Sequence, residues 1–192
     1  MTPKKSTVSW KDVKARLTDL SETELIKLVH DLYVSDKNNQ YFLHARFELG
    51  DDVLSPYKTA IHRWLWPNFG QDASVTKAKK AIADYKKALG QPDDLAELMV
   101  FYCEQAAGFI DSIALEDETY FDALIAKFEH ALDTITTLPL KKMQPLSDRL
   151  ENVSLICHRF GYGVGDEMDE LLANFRGKVE ACLQCPPTRS PT

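Results

Sequence analysis

Residues 92–115, PDDLAELMVFYCEQAAGFIDSIAL, decide the fold of this 192-residue chain. Pro92 suits the first turn of a helix, the carboxylates of Asp93 and Asp94 suit its positive end, and Gly90 can end the helix before it. Nearly all other positions are apolar, which is typical of a buried helix or a membrane span. A charge at bilayer depth costs roughly 2.5–3.5 kcal/mol, so the polar positions argue against a span. They are Glu97, Glu104, Gln105 and Asp111. We therefore predict a buried central helix.

The other segments also carry apolar residues at helical spacing. They predict helices over about 9–17, two between Ser21 and Gly50, and others over 51–66, 74–89, 119–138, 146–160 and 166–182. Ser55-Pro56 is either a fresh helix start or a kink, and Pro139 and Pro145 are expected to bracket a turn. No window alternates with a period of two. We predict an all-α fold of eight or nine helices around the central helix, as a bundle or a short HEAT-like stack.

The ends of the chain differ in composition from the rest. We expect a flexible tail over 1–8, a single helical domain over 9–182 and a disordered tail over 183–192. MTPKKSTVSW lacks the apolar core of a signal peptide, and no stretch reaches the roughly 18 apolar residues of a membrane helix. Four cysteines in a chain of this length do not indicate a disulfide framework. We therefore expect a soluble cytoplasmic protein that does not bind membranes.

Charge is divided unevenly along the chain. Residues 1–90 hold 15 Lys and Arg against 11 Asp and Glu, a net +4, whereas residues 91–192 hold 8 against 18, a net −10. This polarity can steer a charged partner towards the protein. The overall charge of −6 weighs against general nucleic-acid binding, which depends on neutralising phosphates. A protein partner is the better expectation, and nucleic acid is unlikely.

Four stretches resemble a bacterial family of small all-helical proteins described as a domain of unknown function. They are LSETELIKLVHDLY (20–33), NNQYFLHARF (38–47), TKAKKAIADYKKALGQPDDLAELMVFYCEQAAGF (76–109) and FGYGVGDEMDELL (160–172). The resemblance implies an all-helical fold and implies no substrate, cofactor or partner. The leucine-rich helix pair at 20–47 also resembles units of HEAT-like repeats, which serve as protein-binding scaffolds.

The central helix carries a line of carboxylates. Glu97, Glu104 and Asp111 are spaced by seven, and Gly108 on the same line allows a close approach. A carboxylate in an apolar helix is costly unless it is paired. One interpretation is a carboxylate-lined pocket for a cationic ligand, a metal or a small molecule, with Tyr102, Trp64 and Trp66 as neighbours. The favoured alternative is a narrow solvent-facing strip, or a Glu104 that is buried against an Arg or Lys.

The helix over 74–89 carries five lysines: Lys77, Lys79, Lys80, Lys86 and Lys87. Together with Trp64 and Trp66 upstream, they could contact nucleic acid or an acidic protein. The plainer interpretation is a solvated lysine face opposite an apolar face of the same helix.

Metal and cofactor motifs are weak. No two histidines have the spacing of a zinc hydrolase or a di-metal carboxylate protein. Cys182 and Cys185 form a C-x-x-C, but it ends a helix, and zinc would need Cys103 and Cys157 to converge with it. The glycines of GYGVG (161–165) follow a helix rather than a strand, which favours a turn with positive φ over a phosphate loop. We predict no metal and no cofactor.

These observations favour a non-enzymatic protein-interaction module, such as an adaptor or scaffold. A small-molecule binder or enzyme that uses the carboxylate line is the alternative. A nucleic-acid-associated protein that uses the lysine helix at 77–87 is a further alternative.

Overall fold

The computed structural model of the chain describes residues 8–184, which form nine helices and no strand. The helices are α1 (Trp10–Leu17), α2 (Glu22–Ser35), α3 (Lys37–Arg46), α4 (Ser55–Leu65), α5 (Val75–Ala88), α6 (Pro92–Ile113), α7 (Glu118–Thr136), α8 (Leu140–Cys157) and α9 (Val164–Gln184). The all-α prediction is confirmed. Most of both predicted tails lies outside the described residues.

Helix α6 is the centre of the fold, as its sequence predicts. It packs against α4, α5, α7 and α8, and Leu98, Val100, Cys103 and Ala106 are among its fully buried residues. Pro92 occupies its first turn, and the helix ends where Ala114 adopts a left-handed conformation with φ of 49°. This packing buries most of α6 and leaves its two ends and the carboxylate line at least partly exposed.

Helices α1 and α2 lie outside this core. Ser21 and Glu24 form the expected capping box at the start of α2, with the Ser21 N–H donating to the Glu24 carboxylate at 2.8 Å. Neither α1 nor α2 contains a buried residue. The end of α2 meets α3, where the Asn39 side chain donates to the Leu32 carbonyl at 2.7 Å. We call residues 8–35 the N-terminal arm.

The two proline positions have different outcomes. Pro56 lies in the first turn of α4, which therefore begins afresh at Ser55 instead of continuing a longer helix. The turn predicted between Pro139 and Pro145 is wrong, because α8 begins at Leu140 and contains Pro145. Only the first four N–H groups of a helix lack backbone partners, and Pro145 lies beyond these positions of α8. Because proline has no N–H, the hydrogen bond to the Lys141 carbonyl is lost. Lys141 is exposed, so water can satisfy that carbonyl.

The turn between α8 and α9 is held by glycines. Gly161 and Gly163 have φ of 75° and 73°, which confirms the prediction of a turn with positive φ. Gly165 lies against His158, and a Cβ added there would be 2.8 Å from the His158 Cα. Close contact between the two helices therefore requires glycine at position 165.

Candidate functional site

The carboxylate line of α6 is paired with cations. Arg149 of α8 donates to both oxygens of Glu104, from Nε and Nη2 at 2.7 Å each, and donates through Nη1 to Glu97. Lys58 of α4 donates to the other oxygen of Glu97 at 2.7 Å. Two carboxylates thus meet two cations, and the network joins α4, α6 and α8. We call these four residues the Arg149 network.

The Arg149 network keeps Glu97 ionised. Burial opposes ionisation of this carboxylate, but hydrogen bonds from Arg149 and Lys58 outweigh burial and lower the pKa of Glu97 below its usual value of 4.5. Hydrogen bonds to Glu104 raise the pKa of Arg149 in turn. Because its charges balance, the network leaves no excess charge to attract a ligand.

The other residues of the predicted pocket lie elsewhere. Asp111 forms an ion pair with Arg159 at 3.0 Å on the surface. Tyr102 is fully buried, and within residues 8–184 its hydroxyl has no hydrogen-bond partner. Trp66 packs over Gly108 and donates from Nε1 to the Gln105 carbonyl at 2.9 Å. The structure therefore brings only Glu97 and Glu104 together, and a ligand-binding role for this set stays a prediction.

A groove of about 470 Å³ lies between α3, α4 and α5. We call it the α3–α5 groove. Apolar and aromatic side chains form its floor: Tyr41, Phe42, Tyr57, Ala60, Trp64 and Ala81. Lysines of α5 form one rim: Lys77, Lys80 and Lys87. The volume falls within the usual range of ligand-binding clefts.

The groove follows from the amphipathic pattern of α5. The Ser74 hydroxyl caps α5 by accepting from the Lys77 N–H at 3.4 Å, and Ile82 and Tyr85 turn into the core. Ala81 of α5 and Ala60 of α4 leave space where longer side chains would fill it. Tyr57 lines the groove, and its ring meets the buried Tyr85 ring edge to face at 5.3 Å.

The structure divides the five predicted lysines between two surfaces. Lys77, Lys80 and Lys87 line the groove, and the Lys77 Nζ lies 3.9 Å from the centre of the Trp64 ring. Lys79 and Lys86 belong to the other surface, near Lys127 of α7. Burial lowers the pKa of Lys127, and the positive charges of Lys79 and Lys86 lower it further. In the described part of the chain, the α5 lysines form one ion pair, Lys80 with Asp84 of the same helix. The acidic second half therefore does not neutralise the rim of the groove.

The apolar stripe of α2 consists of Leu25, Leu28, Val29 and Leu32, and the sequence did not reveal that these side chains are exposed. Its periodicity correctly predicts the helix, but the structure covers the stripe only in part and leaves Leu32 52% exposed. On α1, Trp10 is 69% exposed. Asn39 lines the groove and also donates to the Leu32 carbonyl, so the arm and the groove adjoin. Periodicity shows where a stripe is, but not what packs against it.

Ser154, His158 and Asp169 come together without forming a catalytic triad. The Ser154 hydroxyl donates to one oxygen of Asp169 at 2.7 Å, and His158 Nε2 lies 2.9 Å from the other oxygen. A triad needs the serine on the histidine, so that the imidazole can take its proton. Here the carboxylate separates the two, and the three residues link α8 to α9.

The cysteines do not gather into one site in the described residues. Cys103 and Cys157 are fully buried, whereas Cys182 is exposed near the end of α9, and Cys185 lies outside the described residues. Between residues 8 and 184, no three His, Cys, Asp or Glu side chains are grouped so that they could hold a metal ion. None of the helices in this range has the length and apolar character needed to cross a membrane.

No family model, curated protein or solved structure matches this chain. The resemblance to a domain of unknown function and the cytoplasmic location therefore stay predictions.

Proposed function

We propose that the protein is a non-enzymatic interaction module whose N-terminal arm and α3–α5 groove bind a protein partner. A single observation carries the proposal: α2 has a complete apolar stripe and no buried residue. The stripe consists of Leu25, Leu28, Val29 and Leu32, at the spacing of a helix face that is normally covered.

A partner that covers the stripe gains substantial free energy. Full burial of one Leu or Val side chain is worth about 1.5–3 kcal/mol, and the four side chains of the stripe are each about one-third to one-half exposed. Contiguous exposed apolar patches of this kind mark interaction sites, whereas single exposed residues do not. The arm therefore supports association with another macromolecule.

The apolar surface continues from the arm towards the groove. Phe42 on the groove floor and Phe47 just after α3 are both exposed, at 37% and 64%. Asn39 lies between this region and the end of α2, where it donates to the Leu32 carbonyl. One partner can therefore contact the arm and the groove together.

A matched pair of double variants tests the proposal. Leu28→Gln with Leu32→Gln disrupts the stripe, whereas Thr23→Gln with Lys27→Gln changes the opposite face of α2 at the same spacing. All four residues are exposed, so both variants should fold.

Proteins retained by tagged wild type and by both variants are quantified by mass spectrometry after capture from the native host. We expect the stripe variant to lose its partner by roughly tenfold or more, while the opposite-face variant retains it. Equal recovery by both variants contradicts the proposal.

A further inference from the structure

The floor of the α3–α5 groove offers mainly apolar and aromatic surface. The Tyr57 hydroxyl already donates to the Tyr41 carbonyl at 3.2 Å, and the Asn39 amide already donates to the Leu32 carbonyl. Phe42 and Ala60 add further apolar surface. An apolar side chain that enters the groove therefore gains free energy by burial against this surface.

The rim of the groove carries unneutralised positive charge. Lys77 and Lys87 form no ion pair within residues 8–184, and Lys80 is paired with Asp84. Three lysines and one aspartate line the groove, so the lining has a formal charge of +2. This charge favours a partner with carboxylates beside its apolar side chain.

The aromatic rings of the groove are poorly placed to stack on nucleic-acid bases. Lys77 and Arg63 lie 3.9 and 5.3 Å from the centre of the Trp64 ring, and Arg46 lies 5.2 Å from that of Phe42. Single-stranded nucleic acids bind through open aromatic faces. Rings that already carry cations present less open face to a nucleic-acid base.

We propose that the α3–α5 groove binds an acidic protein segment, which places an aromatic or branched apolar side chain against Phe42, Tyr57 and Ala60 and sets its carboxylates on Lys77 and Lys87. This inference rests on the proposed function and names the chemistry of the partner. Surface ion pairs are individually weak, so the buried side chain anchors the segment and the lysines select its charge.

A selection from random linear peptides displayed on phage tests the inference without choosing the sequence in advance. Peptides that bind immobilised wild-type protein are sequenced, synthesised with a fluorescent label and titrated by anisotropy. We expect enriched sequences to combine Asp or Glu with an aromatic or branched apolar residue. Their affinity should fall as salt rises, because the lysines are exposed.

Two double variants of equal charge locate the binding site. Lys77→Glu with Lys87→Glu reverses the rim, whereas Lys86→Glu with Lys141→Glu reverses exposed lysines that do not line the groove. We expect the rim variant to bind the selected peptides at least about tenfold more weakly, and the control to bind them nearly as well as wild type. Phe42→Ala should also weaken binding, because it removes the apolar contact.

Several outcomes overturn the inference. They are selected peptides without acidic bias, equal loss of affinity in both charge variants, and tighter binding of a labelled oligo-dT strand than of any selected peptide. The stripe variant of α2 separates the two proposals. If the peptide selection fails but the Leu28→Gln, Leu32→Gln variant still loses its protein partner, the acidic-segment inference is contradicted. The proposed interaction function is then still supported. If the Leu28→Gln, Leu32→Gln variant retains its protein partner, the proposed interaction function is contradicted as well.

Discussion

Arg149 holds Glu104 by two parallel hydrogen bonds, from Nε and Nη2, each 2.7 Å long. This fork geometry fixes the position of α8 along α6. Glu97 and Glu104 of the carboxylate line therefore make a structural contact between α6 and α8. The apolar side chains of the α2 stripe and the lysine rim of the groove, by contrast, remain exposed.

Loss of Arg149 should destabilise the protein substantially. The Arg149→Met variant leaves Glu97 and Glu104 half-buried with only Lys58 nearby, and we expect a loss of about 2–3 kcal/mol in the free energy of unfolding. Arg176→Met removes an exposed ion pair with Glu151 and should change the free energy of unfolding by less than about 1 kcal/mol. Urea denaturation measures both, and similar losses would show that the Arg149 network is no stronger than a surface pair.

Acid should weaken the fold through Glu97. The pKa of this carboxyl is lowered in the folded state, so its contribution to stability is fully present above the unfolded value of about 4.5. That contribution disappears as the pH falls through the lowered folded pKa. We expect urea midpoints measured below pH 4.5 to fall less steeply with acid in Arg149→Met than in wild type. An identical acid slope in the two proteins contradicts this assignment.

Two glycines of α9 should respond to alanine in opposite directions. A Cβ at position 165 would meet the His158 Cα at 2.8 Å, so Gly165→Ala should cost about 1–3 kcal/mol. A Cβ at position 177 meets nothing within 4 Å, so Gly177→Ala should stabilise α9 by about 0.5–1 kcal/mol. Thermal unfolding of the two variants checks this. Stabilisation by Gly165→Ala would mean that α8 and α9 are not in close contact at the turn.

The orphan hydroxyl of Tyr102 should be dispensable. It is buried without a partner among the described residues, so Tyr102→Phe should raise the free energy of unfolding by about 1 kcal/mol. The Tyr57 hydroxyl donates to the Tyr41 carbonyl, so Tyr57→Phe should lower the free energy of unfolding by about 0.5–1.5 kcal/mol. Urea denaturation distinguishes the two. A clear loss on Tyr102→Phe would instead indicate an ordered water at that hydroxyl.

The sequence predicts α6 well because its pattern does not depend on a partner. A helix that is apolar on almost every side must lie at the centre, wherever its neighbours are. The start of α8 is missed for the opposite reason. Pro145 indicates a helix boundary in isolation, but burial of Met143 and Leu146 in the core extends α8 across it.

The site is only partly predictable. The spacing of Glu97 and Glu104 places them on one line of α6, but the identity of their partner depends on how α8 lies against α6. The lysines of α5 are visible in the sequence, whereas their division between two surfaces depends on the positions of α4 and α7. Exposure of the α2 stripe is a property of the assembled fold, and no local pattern shows it.

Site-specific photo-crosslinking tests the central claim most directly. A benzophenone amino acid replaces Leu28 in the arm, Phe42 in the groove, or Leu155 on α8, which is apolar and 68% exposed but distant in sequence from both. After irradiation in the native host, we expect the same protein to be joined to positions 28 and 42 and to be absent at 155. No adduct at positions 28 and 42, or the same adduct at 155, contradicts the claim that the arm and groove form a binding surface.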